Sequence, residues 1–321
     1  MNDISVLGAG AFGTALAIAL SHHGNRVRLW ARDGAVAEAM AAERVNARRL
    51  PDAPFPDTLA VTDDLNEAVA AETLLLAVPM QALGGLLATV RPADGTALVA
   101  CCKGVDLSTG LGPTGVIAAA APGAVAAVLT GPSFASDIAH RLPTALTLAC
   151  ADATVGTRLQ HSLSTSVLRL YLSRDTAGAE LGGALKNVVA LAAGITMGAG
   201  FGESARAAII TRGFAEMLRF AETTAADPDT LRGLSGFGDL TLTATSEKSR
   251  NYTTGLALGR GEPVPAGKTI EGIATAQAVA RLAAKRGVPM PLTAMVVAVT
   301  RGEVSVEEAG AALLARPLKE E

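Results

Sequence analysis

Two patterns of apolar positions divide the chain. Over the first half, short apolar and β-branched runs alternate with alanine-rich stretches of helical spacing. The runs are Ile4–Leu7, Arg26–Trp30, Leu59–Thr62, Thr73–Val78, Ala97–Cys101, Ala124–Leu129, Thr144–Ala149 and Val167–Leu172. Strands alternating with helices predict an α/β domain built on a doubly wound, mostly parallel sheet. The stretch 46–57, with three prolines, is predicted as an irregular loop. Strand signals stop near residue 176, and helical spacing continues to the end. The boundary is placed near residue 178, giving a sheet domain over 1–178 and an all-helical domain over 179–321. The apolar stretch from Leu181 to Gly200 is nearly long enough to span a bilayer, but it holds Lys186, Asn187 and five glycines. It reads as a buried helix.

The first run passes straight into Gly8-Ala-Gly10-Ala-Phe-Gly13, and an alanine-rich helix follows. Strand before and helix after is the context that the dinucleotide fingerprint requires. Gly8 makes the tight turn, Gly10 lets the backbone approach a diphosphate, and Gly13 allows close helix–strand packing. A Rossmann-type domain holding NADP(H) or NAD(H) is therefore expected. The second strand ends at Arg32 and Asp33, where an arginine suits the 2′-phosphate of NADP and an acid suits the 2′-hydroxyl of NAD. The arginine stands nearer the strand end and tilts the expectation towards NADP. Arg48 and Arg49 read as solvated charges.

Composition narrows the partners. The formal net charge is −3 and aromatic residues make up 3% of the chain, so neither a basic patch nor a stacking platform for nucleic acid is expected. Cys101, Cys102 and Cys150 have no CxxC or zinc spacing, and neither a disulfide framework nor a metal site is predicted. The first strand begins within a few residues of Met1. With no leader expected and no bilayer-spanning segment, the reading is cytoplasmic.

In an open α/β sheet, ligands bind beyond the carboxyl ends of the strands. Lys103 follows the fifth run there. Gly131-Pro132-Ser133 follows the sixth and resembles a turn that opens a helix, with N–H groups able to meet an anion. In the second half, Lys186 sits in an apolar, glycine-rich run. An ammonium removed from water without a partner costs several kcal/mol or more, and a lysine so placed suits acid/base work. Asp239 and Thr243, at i and i+4, share a helix face. Asp239 either accepts a hydrogen bond from Lys186 or caps its own helix. Arg250 and Asn251 offer a fork of N–H donors and an amide, a set suited to a phosphate.

Taken together, these segments closely resemble the bacterial NAD(P)-dependent glycerol-3-phosphate dehydrogenases. The resemblance runs from Val6 to about Arg316. It rests on the glycine fingerprint, Leu50-Pro-Asp, Lys103-Gly, Gly131-Pro-Ser-Phe-Ala135, Leu181-Gly-Gly-Ala-Leu-Lys-Asn187, Thr211-Arg-Gly, Gly238-Asp-Leu, Ser249-Arg-Asn251 and Ile270-Glu-Gly. It implies that Lys186 is the catalytic acid/base, that Asp239 orients it, and that Lys103 contacts cofactor and substrate. Gly131, Ser133, Asn187, Thr243, Ser249, Arg250 and Asn251 match substrate positions. Ala11, Phe12, Arg32, Ala135, Arg250, Thr269 and Glu271 match cofactor positions. The implied substrates are dihydroxyacetone phosphate and sn-glycerol 3-phosphate, made for phospholipid synthesis, and a homodimer is in keeping with the resemblance. Ala11 replaces a usual Ser, Ser204 an expected Asn, and Tyr252 a common Arg. Two other readings stand beside this one: a related β-hydroxyacid dehydrogenase acting on a carboxylate, and a dinucleotide-binding sensor without turnover.

Overall fold

The computed structural model describes residues 2–263 and 270–315. The chain forms two compact units, Met1–Glu180 and Leu181–Glu321. The strands are β1 (Asp3–Leu7), β2 (Arg26–Trp30), β3 (Val45–Asn46), β4 (Leu50–Pro54), β5 (Leu59–Thr62), β6 (Thr73–Leu76), β7 (Ala97–Ala100), β8 (Val125–Thr130), β9 (Thr144–Cys150) and β10 (Leu168–Ser173). The helices of the first unit are α1 (Ala11–His22), α2 (Gly34–Glu43), α3 (Leu65–Val69), α4 (Met80–Thr89), α5 (Pro113–Ala120), α6 (Ala135–Ala139) and α7 (Ala153–Leu163). A long helix, α8 (Thr176–Gly198), begins in the first unit and continues into the second. Position 178 thus falls inside a helix.

Eight strands make one sheet in the order β10-β9-β8-β7-β6-β1-β2-β5. Every neighbouring pair is parallel except β8 with β9. In register, Val6 lies beside Leu29 of β2 and Leu75 of β6. The central strands are buried on both faces, so they read as near-continuous apolar runs rather than alternations. One face packs Ile4, Val6, Leu29 and Leu75 under Leu16 and Leu20 of α1, with Leu159 and Leu163 of α7. The other packs Leu7, Leu74, Leu76 and Leu98 under Leu83 and Leu87 of α4 and Ile117 of α5. Each such leucine stabilises the fold by roughly 1.5–3 kcal/mol relative to exposure.

The loop expected over 46–57 is in fact partly a hairpin. β3 and β4 pair antiparallel, Val45 with Pro54 and Asn46 with Leu50. A two-stranded ribbon leaves one side of each strand unpaired, so a proline there removes no required donor. Leu50, Ala53 and Phe55 are buried and anchor the ribbon. Arg44, in the left-handed region at φ 53°, donates to the carbonyls of Leu59 and Pro56 and lies over the Phe55 ring.

The second unit adds α9 (Glu203–Ala221), α10 (Pro228–Arg232), α11 (Asp239–Ala244), α12 (Arg250–Gly259), α13 (Glu271–Arg286), α14 (Pro291–Thr300) and α15 (Val306–Leu314). A π-helical turn, Leu234–Gly238, runs directly into α11. α8 has the length and apolarity to cross a bilayer, but 83% of that window is buried inside the protein. Its residues Val188, Leu191 and Ile195 pack with Ala276 of α13 and with Leu292 and Val296 of α14. α12 crosses α8 backbone to backbone: a Cβ on Gly194 would lie 2.1 Å from the Tyr252 carbonyl oxygen. Only glycine permits that approach, and it fixes the start of α12 beside α8.

Candidate active site

The first unit builds the glycine turn as the fingerprint requires. Gly8 has φ 121°, a conformation that L side chains rarely adopt, and a Cβ there would lie 2.6 Å from the Ala77 carbonyl oxygen. A Cβ on Gly13 would meet Gly8 O at 2.1 Å. Around Gly10 there is open space, and no side chain caps α1. The N–H groups of its first turn, at Ala11, Phe12 and Gly13, lack intrahelical partners and bring the positive end of the helix dipole to that opening. These features fit the diphosphate of a dinucleotide. Asn46, buried at the base of the hairpin, braces the turn. Its Nδ2 donates to Ala9 O (3.1 Å) and to Thr14 Oγ1 (2.9 Å). Sequence reasoning missed this residue, because a single Asn in a proline-rich stretch carries no signal of its partner.

Beyond β2, Arg32 is exposed. Asp33 caps α2, its Oδ1 accepting from the N–H groups of Ala35 and Val36. Arg48 and Arg49 are exposed. At the carboxyl ends of β7 and β8, Lys103 Nζ donates to Gly131 O at 3.3 Å, and Ser133 Oγ donates to the same oxygen at 3.2 Å. Lys103, Gly131 and Ser133 therefore form one polar cluster. Ala135 opens the short α6 close by in sequence.

The second unit assembles the other set. Lys186, on α8, is 6% exposed. Its Nζ donates to Asp239 Oδ1 at 2.5 Å and to Thr243 Oγ1 at 2.8 Å. Thr243 Oγ1 also donates to Asp239 Oδ1 at 3.2 Å. Asp239 is 1% exposed and opens α11, with no side-chain cap there. Of the two roles read for it from sequence, the structure has the contact with Lys186. A buried ion pair is tolerated only when its partners are also hydrogen-bonded, and Thr243, one turn along α11, supplies that bond.

Next to Lys186, Asn187 Nδ2 donates to Glu271 Oε2 at 3.4 Å. Glu271, the first residue of α13, also lies 3.6 Å from the Arg250 guanidinium. Arg250 is largely exposed at the first position of α12. Ser249 caps that helix through Tyr252 N. Asn251 Oδ1 accepts from Gly272 N at 2.9 Å, so its share in holding an anion falls to the Nδ2–H groups. Tyr252 is buried, and its hydroxyl accepts from Arg206. Thr269 lies outside the described residues. Among the described residues no group of His, Cys, Asp and Glu could hold a metal ion.

Comparison with known proteins gives a consistent result. Residues 3–156 match the family model of the NAD-dependent glycerol-3-phosphate dehydrogenase N-terminus, and residues 175–311 match that of the C-terminus. The chain is 56% identical to glycerol-3-phosphate dehydrogenase [NAD(P)+] of Cereibacter sphaeroides, over 99% of this chain and 100% of the relative. It is 55% identical to the enzyme of the same name from Paracoccus denitrificans, with the same coverage. Among solved structures, glycerol-3-phosphate dehydrogenase from Coxiella burnetii superposes with a TM-score of 0.92 at 37% identity, covering 98% of this chain and 99% of that one. The Plasmodium falciparum glycerol-3-phosphate dehydrogenase, at 19% identity and a TM-score of 0.90, shares the fold. Fingerprint, fold and full-length similarity agree, and the chain belongs to the family of NAD-dependent glycerol-3-phosphate dehydrogenases.

Proposed function

We propose that this chain interconverts dihydroxyacetone phosphate and sn-glycerol 3-phosphate, and that Lys186 is its proton donor and acceptor. The observation that carries the assignment is the buried Lys186 ammonium, fixed by Asp239 and Thr243. A bound NADPH or NADH supplies the hydride in one direction and NAD(P)+ accepts it in the other. In the reducing direction negative charge develops on the ketone oxygen. Lys186 stabilises that charge and gives its Nζ proton to the oxygen. In the oxidising direction the neutral amine takes the hydroxyl proton. Asp239 and Thr243 restrict the rotamers of Lys186, so Nζ needs no reorganisation at the moment of transfer. Arg250 and Asn251 Nδ2 hold the substrate phosphate, and this remote binding energy positions the ketone. The glycine turn and the first turn of α1 hold the cofactor diphosphate.

Within the cell we read the chain as a cytoplasmic homodimer supplying glycerol 3-phosphate for phospholipid synthesis. The three buried, free cysteines suit a reducing compartment.

Initial rates of NADPH and NADH oxidation with dihydroxyacetone phosphate test the reaction, set against 3-keto acids. A higher kcat/KM with the keto acids would sink it in favour of a β-hydroxyacid dehydrogenase. Lys186→Ala tests the assignment of the donor. A positioned proton donor contributes about 10²–10⁴-fold, so the variant should lose at least that while still binding cofactor. Its fold must be checked, because Asp239 is left buried without its cation, at a cost of about 3–5 kcal/mol. A folded variant retaining a tenth of wild-type kcat removes Lys186 from this role.

A further inference from the structure

Lys186 and Asp239 come from different elements, α8 and α11. Something must set their separation to hydrogen-bonding distance, and the structure places a second contact between the same two segments. Gly182 lies four residues before Lys186 on α8, one turn along the same face. Gly236 lies three residues before Asp239, inside the π-helical turn. A Cβ built on Gly182 would stand 2.7 Å from the Ser235 carbonyl oxygen and 2.9 Å from Gly236 Cα. Within the segment the turn is tightly wound: a Cβ on Gly236 would stand 2.0 Å from the carbonyl oxygen of Leu231, the residue five before it at the end of α10. The Phe214 ring of α9 meets the Phe237 ring edge-on, with centroids 5.2 Å apart. The turn thus meets α8 through Gly182 and α9 through Phe214, with Asp239 as the next residue out of it. π-helical segments are rare and concentrate at functional sites.

We propose that Gly182 and Gly236 are positioning residues, their backbone contact being the stop that sets how far Asp239 stands from Lys186. This rests on Lys186 acting as the proton donor. A methyl group at Gly182 cannot be housed without moving the turn, because its nearest neighbours are backbone atoms. The turn then carries Asp239 away from Lys186 by several tenths of an ångström or more. Misplacement on that scale lowers turnover by one to two orders of magnitude. Arg250 and Asn251, proposed to hold the phosphate, stand on α12 outside the displaced segment, so KM for dihydroxyacetone phosphate stays near that of the wild type.

The test is a cycle of four proteins: wild type, Gly182→Ala, Asp239→Glu and the double variant, each checked for fold by circular dichroism and melting. Glu reaches one methylene further, about 1.5 Å. In the wild-type frame it over-reaches, and kcat should fall about tenfold. In the Gly182→Ala frame the extra reach meets the displaced turn, so Glu should cost nothing or restore part of the roughly tenfold or greater loss. Phe214→Leu, which removes the ring packed on Phe237 while keeping an apolar side chain, is carried in parallel. It should lower kcat about threefold at unchanged KM and show the same coupling to Asp239→Glu. Losses that simply multiply in both series overturn the proposal, as does a Gly182→Ala protein with wild-type kcat. The Lys186→Ala control separates the two ideas. If that variant turns over normally, the donor assignment has failed. If it is inactive while the cycle shows no coupling, only the positioning role has.

Discussion

At the scale of the residue, the second unit holds its charges in two ways. Lys186 is enclosed and fixed, whereas Arg250 stands in solvent with Glu271 at 3.6 Å as its acidic neighbour. An exposed pair of this kind contributes little, about 0–1 kcal/mol, so the substrate phosphate proposed to bind there would displace it at small cost. Arg250→Ala should therefore raise KM for dihydroxyacetone phosphate strongly and lower kcat as well, since the phosphate helps to place the ketone. Unphosphorylated dihydroxyacetone should be a poor substrate for the wild type and should lose little more in the variant; equal losses for both substrates would put Arg250 elsewhere. Arg32 is the second exposed arginine with an expected anion. Asp33 has already committed Oδ1 to the first turn of α2, which leaves Arg32 as the readier partner for a ribose 2′ substituent. Arg32→Ala should reduce kcat/KM with NADPH by about 1.5 kcal/mol, roughly tenfold, and leave NADH nearly unchanged. Raised ionic strength should narrow the difference, as for any exposed pair. Equal losses with both cofactors would mean that the arginine serves the loop or the adenine.

At the scale of the element, helix ends govern how the second unit holds together. α14 begins with Pro291, and its next two N–H groups, at Leu292 and Thr293, are bound by the Glu216 carboxylate of α9 at 2.6 and 3.1 Å. Burial nevertheless pushes the Glu216 carboxyl above the ordinary carboxylate range, outweighing the hydrogen bonds from Leu292 and Thr293. The folded protein therefore binds this proton more tightly than the unfolded chain does. The stabilising effect of that linkage is complete below the unfolded value and is lost as pH rises through the folded one. Gln imitates the protonated acid, so Glu216→Gln should gain on the wild type, in melting temperature, as pH rises from mildly acidic to neutral. A difference that is constant or runs the other way would show that hydrogen bonding outweighs burial. Glu216→Ala should cost about 1–3 kcal/mol in mildly acidic solution by leaving buried donors unmet, and less as pH rises and the wild type loses its own stabilisation there. Elements of this kind mark what the sequence makes legible. The strands are readable because their apolar runs are nearly continuous, and α1 because it follows glycines with one steric purpose. The β3–β4 hairpin is not, since three prolines look the same in a loop and on the open side of a ribbon; only the burial of Leu50, Ala53 and Phe55 decides it. In the candidate site, Lys186 stands out as a charge in an apolar run, and Asp239 with Thr243 as a pair at helical spacing. Asn46 and the Gly182–Gly236 contact are long-range, and local pattern holds no trace of them.

At the scale of the whole molecule, the cysteines offer an internal reporter. Cys101, Cys102 and Cys150 are all buried, and all lie in the first unit; the sequence of the second has none. Burial pushes the Cys101 thiol far above the usual cysteine range and raises Cys150 as well. The thiolate is the reactive form, so in the folded protein Cys101 and Cys150 are both shielded and protonated, and Cys102 is shielded by burial. Reaction with an aromatic disulfide reagent then requires the sheet unit to open, and its rate follows the population of the open form when reclosing is fast. A ligand that binds only the closed unit lowers that population by the factor 1 + [L]/Kd, which at a hundred times Kd is about 2.7 kcal/mol. NADPH at that concentration should slow labelling of all three thiols about a hundredfold. Far-ultraviolet ellipticity should remain constant throughout. Arg32→Ala should need more NADPH for the same protection, by the ratio of its Kd to that of the wild type, whereas Lys186→Ala should need no more, since its side chain lies outside the proposed cofactor contacts. If NADPH fails to protect the thiols while supporting turnover, labelling proceeds through local fraying at the ends of β7 and β9, and the sheet unit does not open as one body.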